Sequence, residues 1–271
     1  MPESPEITAR AYEMNASLTG KTISSLEVVQ PKCLNLTPTQ VQEAIQNAQL
    51  MEVTHHGKWI KIRTDRGWLL INLGMGGELL LTTRRNLPPK YRLVLDFSDQ
   101  TCLLINFWWF GYMHFETLEN PYANKMLAKL GPDVLEISSE QFRTLLTSNG
   151  KKVRIKPFLL DQSNLAGIGN AYIHDILFLA KIHPDRLVSS LNPQEIDRLY
   201  QSIQDCLRLS LAKGGAFYEL TLFGEKGGFT MEDILIGYKE GASCPHCGTI
   251  IQKIRTGSNQ SFICPTCQPL D

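Results

Sequence analysis

No run in the 271-residue sequence is long and apolar enough to cross a membrane as a helix. The N-terminus also lacks the basic, apolar and small-residue regions of a secretory signal. A cytoplasmic protein with no membrane partner is therefore expected. Excess charge of one sign is missing as well: Lys plus Arg and Asp plus Glu number 27 each, so net charge gives no hint of an anionic partner. A dinucleotide fingerprint is absent too. Gly167-Ile168-Gly169 has neither the preceding strand nor the third glycine it would need, and no nucleotide cofactor is expected.

What net charge hides, distribution reveals. Between Lys58 and Arg92 stand eight basic residues against two acids, and Lys151, Lys152, Arg154 and Lys156 form a second basic stretch without an acid. Such local excesses are usually solvated surface, but two of them in a neutral chain leave room for a phosphate-binding track.

The last 28 residues carry the strongest chemical signal. Cys244-x2-Cys247 and Cys264-x2-Cys267, sixteen residues apart, have the spacing of a tetrahedral zinc site. Four thiolates leave no open position for substrate or water, so the expected Zn2+ is structural. Cys33, Cys102 and Cys206 lie in apolar surroundings and are expected in cores.

At the other end, Met1-Pro2-Glu3-Ser4-Pro5-Glu6 supports two readings. Removal of Met1 turns Pro2 into a free secondary amine. Its ordinary pKa of about 7.7–8.0 leaves part of it unprotonated at neutral pH, able to attack a carbonyl carbon and form an iminium. Glu3 is then a tethered proton donor or acceptor. Alternatively, Ser4 as N-cap, Pro5 at the first helical position and Glu6 near the positive end are simply a helix entrance.

Between the ends, apolar Ile7, Ala11, Met14 and Leu18 predict a helix, and Thr37-Pro38 opens a short second one. Strands are expected at 22–29, 51–54, 59–63, 69–73, 79–82, 93–97 and 102–107, a pattern of sheet sandwich or barrel. Gly57-Lys58 is a glycine turn that places Lys58 at a strand start, where a lone lysine is ordinarily only solubilising. Helical periodicity dominates 138–212, clearest at 199–211, and glycine-rich 213–243 reads as a mobile loop. The fold class is thus α+β. Expected domains are a β-sandwich at 1–118, a linker at 119–136, a helical domain with a flexible loop at 137–240 and a zinc finger at 241–271.

These parts, in this order, resemble the formamidopyrimidine-DNA glycosylase / endonuclease VIII family over nearly the whole chain. The resemblance is carried by Pro2-Glu3-x-Pro5-Glu6, Gly57-Lys58, Leu73-Gly74-Met75-x-Gly77, Leu130-Gly131-Pro132, Ile155-Lys156 through Tyr172, Ile182-His183-Pro184, Gly214-Gly215 and the cysteine set closing in Gln268. It implies a two-domain clamp on damaged DNA, with a helix–two-turn–helix second domain, working as a monomer. It also implies base excision coupled to AP-lyase activity. Pro2 would attack C1′ of a flipped nucleotide, Glu3 would assist ring opening, and Lys58 would contact phosphate. Met75 and Phe110 would fill the vacated space, and Lys156 and Asn170 would hold backbone phosphates. The alternative is a protein of the same fold that binds damaged or single-stranded DNA without excision, stacking bases on Trp108, Trp109 and Phe110.

The chain also departs from the family. Where Asp-Pro-Arg-Arg-Phe-Gly is typical, it has Asn106-Phe107-Trp108-Trp109-Phe110-Gly111. Asn259 stands at the position of the finger arginine, Asn72 at that of a common histidine and Asp175 at that of a glutamate. An indole offers one N–H where the family's arginine offers a fork of donors to the base opposite the lesion, so weak opposite-base selectivity is expected. Packing of both tryptophans in the sandwich core is the other reading of the same residues.

Overall fold

The computed structural model describes every residue except Met1, Trp109, Gly150, Lys151, Ser258 and Asp271. The chain forms two compact units, one of residues 1–129 with 213–228 and the other of residues 130–212 with 229–271. The stretch 213–228, grouped with the helical domain in the sequence reading, thus folds with the first unit.

The first unit opens with helix α1 (Ser4–Leu18). Its N-cap is Glu3, one residue earlier than the sequence suggests, because the Glu6 carboxylate reaches back to accept the Glu3 N–H at 2.8 Å. Ser4 therefore starts the helix. Ile7, Ala11, Met14 and Leu18 form the buried face as their spacing requires.

Among the described residues eight strands follow: β1 (Ile23–Val28), β2 (Leu50–His56), β3 (Trp59–Thr64), β4 (Gly67–Asn72), β5 (Glu78–Thr83), β6 (Leu93–Phe97), β7 (Thr101–Asn106) and β8 (Tyr112–Thr117), with α2 (Pro38–Ile45) between the first two. They make two antiparallel four-stranded sheets, ordered β1-β6-β7-β5 and β2-β3-β4-β8. Ile60, Ile62, Leu69 and Ile71 of one sheet share a core with Leu79, Leu93, Leu95, Leu103 and Ile105 of the other, and α1 joins it. This is the expected β-sandwich. Cys33 and Cys102 are buried, as read from the sequence.

Residues 213–228 run against α1 and β5. Arg10, 4% exposed, donates to the Leu220 carbonyl at 2.7 Å and the Gly214 carbonyl at 3.2 Å, and pairs with Glu13 at 3.1 Å. Glu13 in turn accepts the Leu222 N–H at 2.7 Å, while the Leu222 carbonyl accepts from Leu81 of β5. A stretch whose composition reads as a mobile loop is held by the charged face of a helix some two hundred residues earlier in the chain.

The second unit contains α3 (Ser139–Asn149), α4 (Ile155–Leu160), α5 (Ile173–Leu179) and α6 (Pro193–Ala212), followed by the hairpin β9 (Gln252–Thr256) and β10 (Asn259–Ile263). Ile173, Ile176 and Leu177 of α5 pack with Leu199, Ile203, Cys206 and Leu207 of α6. A smaller cluster of Phe178, Ile236, Cys244, Ile251, Phe262 and Cys264 joins the hairpin to α5.

One glycine decides the shape of the loop between β4 and β5. A Cβ on Gly77 would lie 2.5 Å from the Leu73 carbonyl oxygen and 2.7 Å from that of Asn106, both backbone atoms that cannot turn aside. Gly77→Ala is expected to destabilise the protein by about 1–3 kcal/mol through this overpacking. The check is urea unfolding of the variant beside wild type.

Candidate active site

The N-terminal residues are held from below. Pro2 is buried, and Glu3 and Glu6 are 2% and 4% exposed. Glu6 uses one carboxylate oxygen on the Glu3 N–H and the other on the Ala216 N–H at 3.0 Å. Gly215 permits this approach: its φ is +93°, and a Cβ there would stand 2.9 Å from the Glu6 Cγ.

Lys58 sits in the two-residue turn joining β2 to β3, after Gly57 at φ +56°. Burial lowers its ammonium pKa, and the charges of Glu3 and Glu6 oppose that shift. The turn therefore brings Lys58 into the electrostatic reach of the N-terminal acids, and these two carboxylates favour its charged form. Glu219 belongs to the same unit and went unnoticed in the sequence. Burial raises its carboxyl pKa and the Glu6 charge raises it further, which makes it a second candidate proton carrier.

Asn72 ties two of these parts together. Its side-chain amide donates to the Lys58 carbonyl at 3.1 Å, and its oxygen accepts the Gly74 N–H at 3.0 Å. The loop that follows, with positive φ at Gly74 and Gly76, leaves Met75 59% exposed. A Cβ on Gly76 would lie 3.8 Å from the Trp108 indole, so the two loops are neighbours. Trp108 is 67% exposed and Phe110 72% exposed. Trp108 is therefore not a sandwich-core residue; Trp109 lies outside the described residues. Phe110 holds φ +55°, a conformation that costs a non-glycine residue energy and recurs at functional positions.

In the second unit, Asn170 is exposed at the end of a turn organised by Gln162. That side chain accepts the Gly167 N–H and donates to the carbonyls of Leu160 and Ile168. Lys156 departs from expectation. It is 1% exposed, and its ammonium donates to the Gln260 carbonyl and, at 2.8 Å, to the Ser261 hydroxyl. Read as a phosphate contact, it is instead a strut between α4 and the β9–β10 hairpin, because its charge is spent on acceptors inside the fold. Beside it, His174 accepts the Phe262 N–H at Nδ1, and burial together with the Lys156 charge lowers its pKa to about 3.

The four cysteines converge as their spacing predicts. Their sulfurs all lie within 4.8 Å of one another, with 3.4 Å from Cys247 to Cys264, 3.6 Å from Cys247 to Cys267 and 3.9 Å from Cys244 to Cys267. Zinc–sulfur bonds of about 2.3 Å in a tetrahedron place sulfurs about 3.8 Å apart, so the donor set fits one structural Zn2+. Gln268 fastens the site to the helical unit by accepting the Cys264 N–H and donating to the Ile182 carbonyl. Asp175 accepts the N–H groups of Leu235, Ile236 and Gly237 and orders the chain leading into the finger.

Sandwich, helical unit and four-cysteine finger define a zinc-finger protein of α+β architecture whose N-terminal residues are buried at a prospective reaction centre. Residues 1–108 match the formamidopyrimidine-DNA glycosylase N-terminal domain, residues 130–220 the H2TH domain of the same glycosylases, and residues 243–270 a zinc finger found in FPG and IleRS. The formamidopyrimidine-DNA glycosylase of Lactiplantibacillus plantarum is 33% identical, with 100% of both chains covered. That of Pelotomaculum thermopropionicum is 31% identical over 99% of each. Among solved structures, Lactococcus lactis Fpg in complex with DNA containing an abasic site is 27% identical, with a TM-score of 0.89 over 99% of this chain and 100% of that one. Its complex with N7-benzyl-Fapy-dG DNA gives 0.90 at 27% identity, with the same coverage. The chain belongs to the formamidopyrimidine-DNA glycosylase family. Among the described residues, no helix is long and apolar enough to cross a membrane.

Lys156 supplies a test of the strut. Burial lowers its pKa from 10.5 to about 8. Between those two values the unfolded chain binds this proton more tightly than the folded one, so the group adds stability as pH rises through that window. Wild type should gain thermal stability relative to Lys156→Met from about pH 8 to 10.5. Parallel melting curves across that range would check it, and a constant difference would refute the buried ammonium.

Proposed function

We propose that this protein is a DNA glycosylase with AP-lyase activity, acting on oxidised, ring-opened or alkylated bases through the Pro2 amine. The observation that carries the reading is the burial of Pro2-Glu3 with Lys58 in electrostatic reach, on a chain of this family. Support also comes from the Lactococcus lactis relative, solved with abasic and Fapy-dG-type DNA.

In this reading the Pro2 nitrogen forms a bond to C1′ as the glycosidic bond breaks and the base leaves with its electron pair and a proton. Nitrogen loses its own proton, Glu3 protonates the ring oxygen, and the sugar opens to an iminium. That electron sink acidifies the 2′ carbon. Loss of a 2′ proton then expels the 3′ phosphate, and water releases the enzyme. Lys58 would steady the phosphate, while Met75 and Phe110 would replace the flipped nucleotide and Asn170 would hold the backbone. The cell compartment that fits this work is the cytoplasm.

Wild type treated with borohydride on abasic DNA should form a covalent adduct, and Pro2→Gly should lose most of it. An adduct undiminished in Pro2→Gly would assign the chemistry to another amine. No adduct with wild type would favour the second reading, binding of damaged or single-stranded DNA without excision, which the exposed Trp108 and Phe110 support.

The same exposure bears on specificity. An indole stacks on any base and discriminates poorly, whereas a bidentate contact carries about 1–3 kcal/mol of discrimination. Substrates that leave the stack easily, such as abasic sites and ring-opened purines, should react faster than 8-oxoguanine paired with cytosine. Single-turnover rates on each lesion against all four opposite bases test this. Efficient 8-oxoguanine excision with strong preference for opposite cytosine would overturn it.

A further inference from the structure

A cleft of the first unit lies beside Trp108, and no step of the proposed chemistry uses it. It measures about 870 Å³, several times the size of a nucleobase. Glu78, Lys90, Tyr91, Arg92, Asn106 and Trp108 line it. Three features give it a chemistry. The Trp108 indole is a broad, exposed apolar wall. Asn106 donates its side-chain N–H to one Glu78 carboxylate oxygen at 3.0 Å, which fixes the carboxylate and leaves its other oxygen and a second lone pair on the first as an acceptor pair for a ligand. Arg92 is oriented by a bond from Nε to the Phe107 carbonyl at 3.3 Å, with no bond to its two terminal nitrogens among the described residues, and Lys90 stands exposed beside it.

Tyr91 is set by its own partner outside the cleft. Its hydroxyl donates to Glu27 at 2.9 Å, and Glu27 and Asp96 are both engaged by Arg84. Arg84 thereby offsets one of the two neighbouring acid charges, and the cleft itself presents two cations, one fixed carboxylate and one aromatic face.

We propose that this cleft binds a nucleotide that has left the DNA stack, with its base against Trp108, its donor edge on Glu78 and its phosphate toward Lys90 and Arg92. The carboxylate makes the site selective. Guanine presents N1–H and N2–H side by side to an acceptor pair, whereas thymine meets the carboxylate with two carbonyl oxygens flanking a single N–H. Stacking on the indole contributes for every base alike. The proposal rests on the DNA-repair reading, since it adds an unpaired-strand contact to that protein. It does not require the Pro2 chemistry.

The test uses the full-length protein and fluorescein-labelled single-stranded pentamers, TTGTT and TTTTT, read by fluorescence anisotropy at one fixed salt concentration. TTGTT should bind about tenfold more tightly. Glu78→Gln keeps the size and the Asn106 contact but replaces an acceptor with a donor, and it should bring the two pentamers close to equal. Trp108→Ala should weaken both. Equal affinity of the two pentamers for wild type, or a preference unchanged in Glu78→Gln, would overturn the proposal. Borohydride trapping of wild type on an abasic duplex, run alongside, reports separately on the reading beneath it. A normal adduct with no pentamer preference rejects the cleft alone, and a preference without an adduct rejects the chemistry alone.

Discussion

The carboxylate of Glu6 is the constraint on which the N-terminal centre depends. It is buried, and a buried charge survives only with partners that repay its desolvation. One oxygen takes the Glu3 N–H and the other the Ala216 N–H. Charge-assisted hydrogen bonds of this kind are worth about 1.5–3 kcal/mol each. They act at both ends: the first fixes where α1 starts and so where Pro2 and Glu3 point, and the second fastens residues 213–228 to the sandwich. Arg10 and Glu13 continue the attachment one turn at a time along the same helix. A helix that looks like packing material is thus also the clamp for a glycine-rich segment.

The second unit is organised in the same way around buried polar groups. Lys156 bonds the finger hairpin, Asp175 the backbone of the chain entering the finger, and Gln268 ties the finger to the Ile182 carbonyl. Zinc holds the four sulfurs together, but these side chains decide how the metal site is seated on α4 and α5. The exchange of a glutamate for Asp175 and of a histidine for Asn72 leaves side chains with complete local roles. Asn72 joins the Lys58 turn to the Met75 loop, which a shorter amide does with one donor and one acceptor. Among the described residues, the tryptophan at position 108 has no comparable role inside the fold, and its exposure turns a change of sequence into a change of surface.

Much of this was legible in the sequence because it rests on local spacing. The four cysteines, the apolar face of α1, the Gly57-Lys58 turn and most strands follow from residues a few positions apart, and local geometry enforces them whatever the rest of the chain does. Strand β8 was missed although buried Met113 and Phe115 alternate with more exposed Tyr112, His114 and Glu116. With only two of its six positions buried, the strand offers too few repeats of period two to stand out from a loop. The helix start slipped by one residue because the Glu6 carboxylate accepts the Glu3 N–H and so makes Glu3, not Ser4, the N-cap.

By itself, then, the sequence determined the α+β class, the zinc site and the N-terminal Pro2-Glu3 pair on which the proposed chemistry rests, since each is a matter of residue type and short-range period. Tertiary structure alone decided the rest. Burial of Lys156 depends on a hairpin about a hundred residues away, and the hold of Glu6 on Ala216 crosses 210 positions. The cleft of Glu78, Arg92 and Asn106 exists only because β5 pairs with β7 and brings Glu78 opposite Asn106. No periodicity encodes such contacts: a side chain's charge is free or spent according to what the fold places beside it, and that is settled by long-range packing.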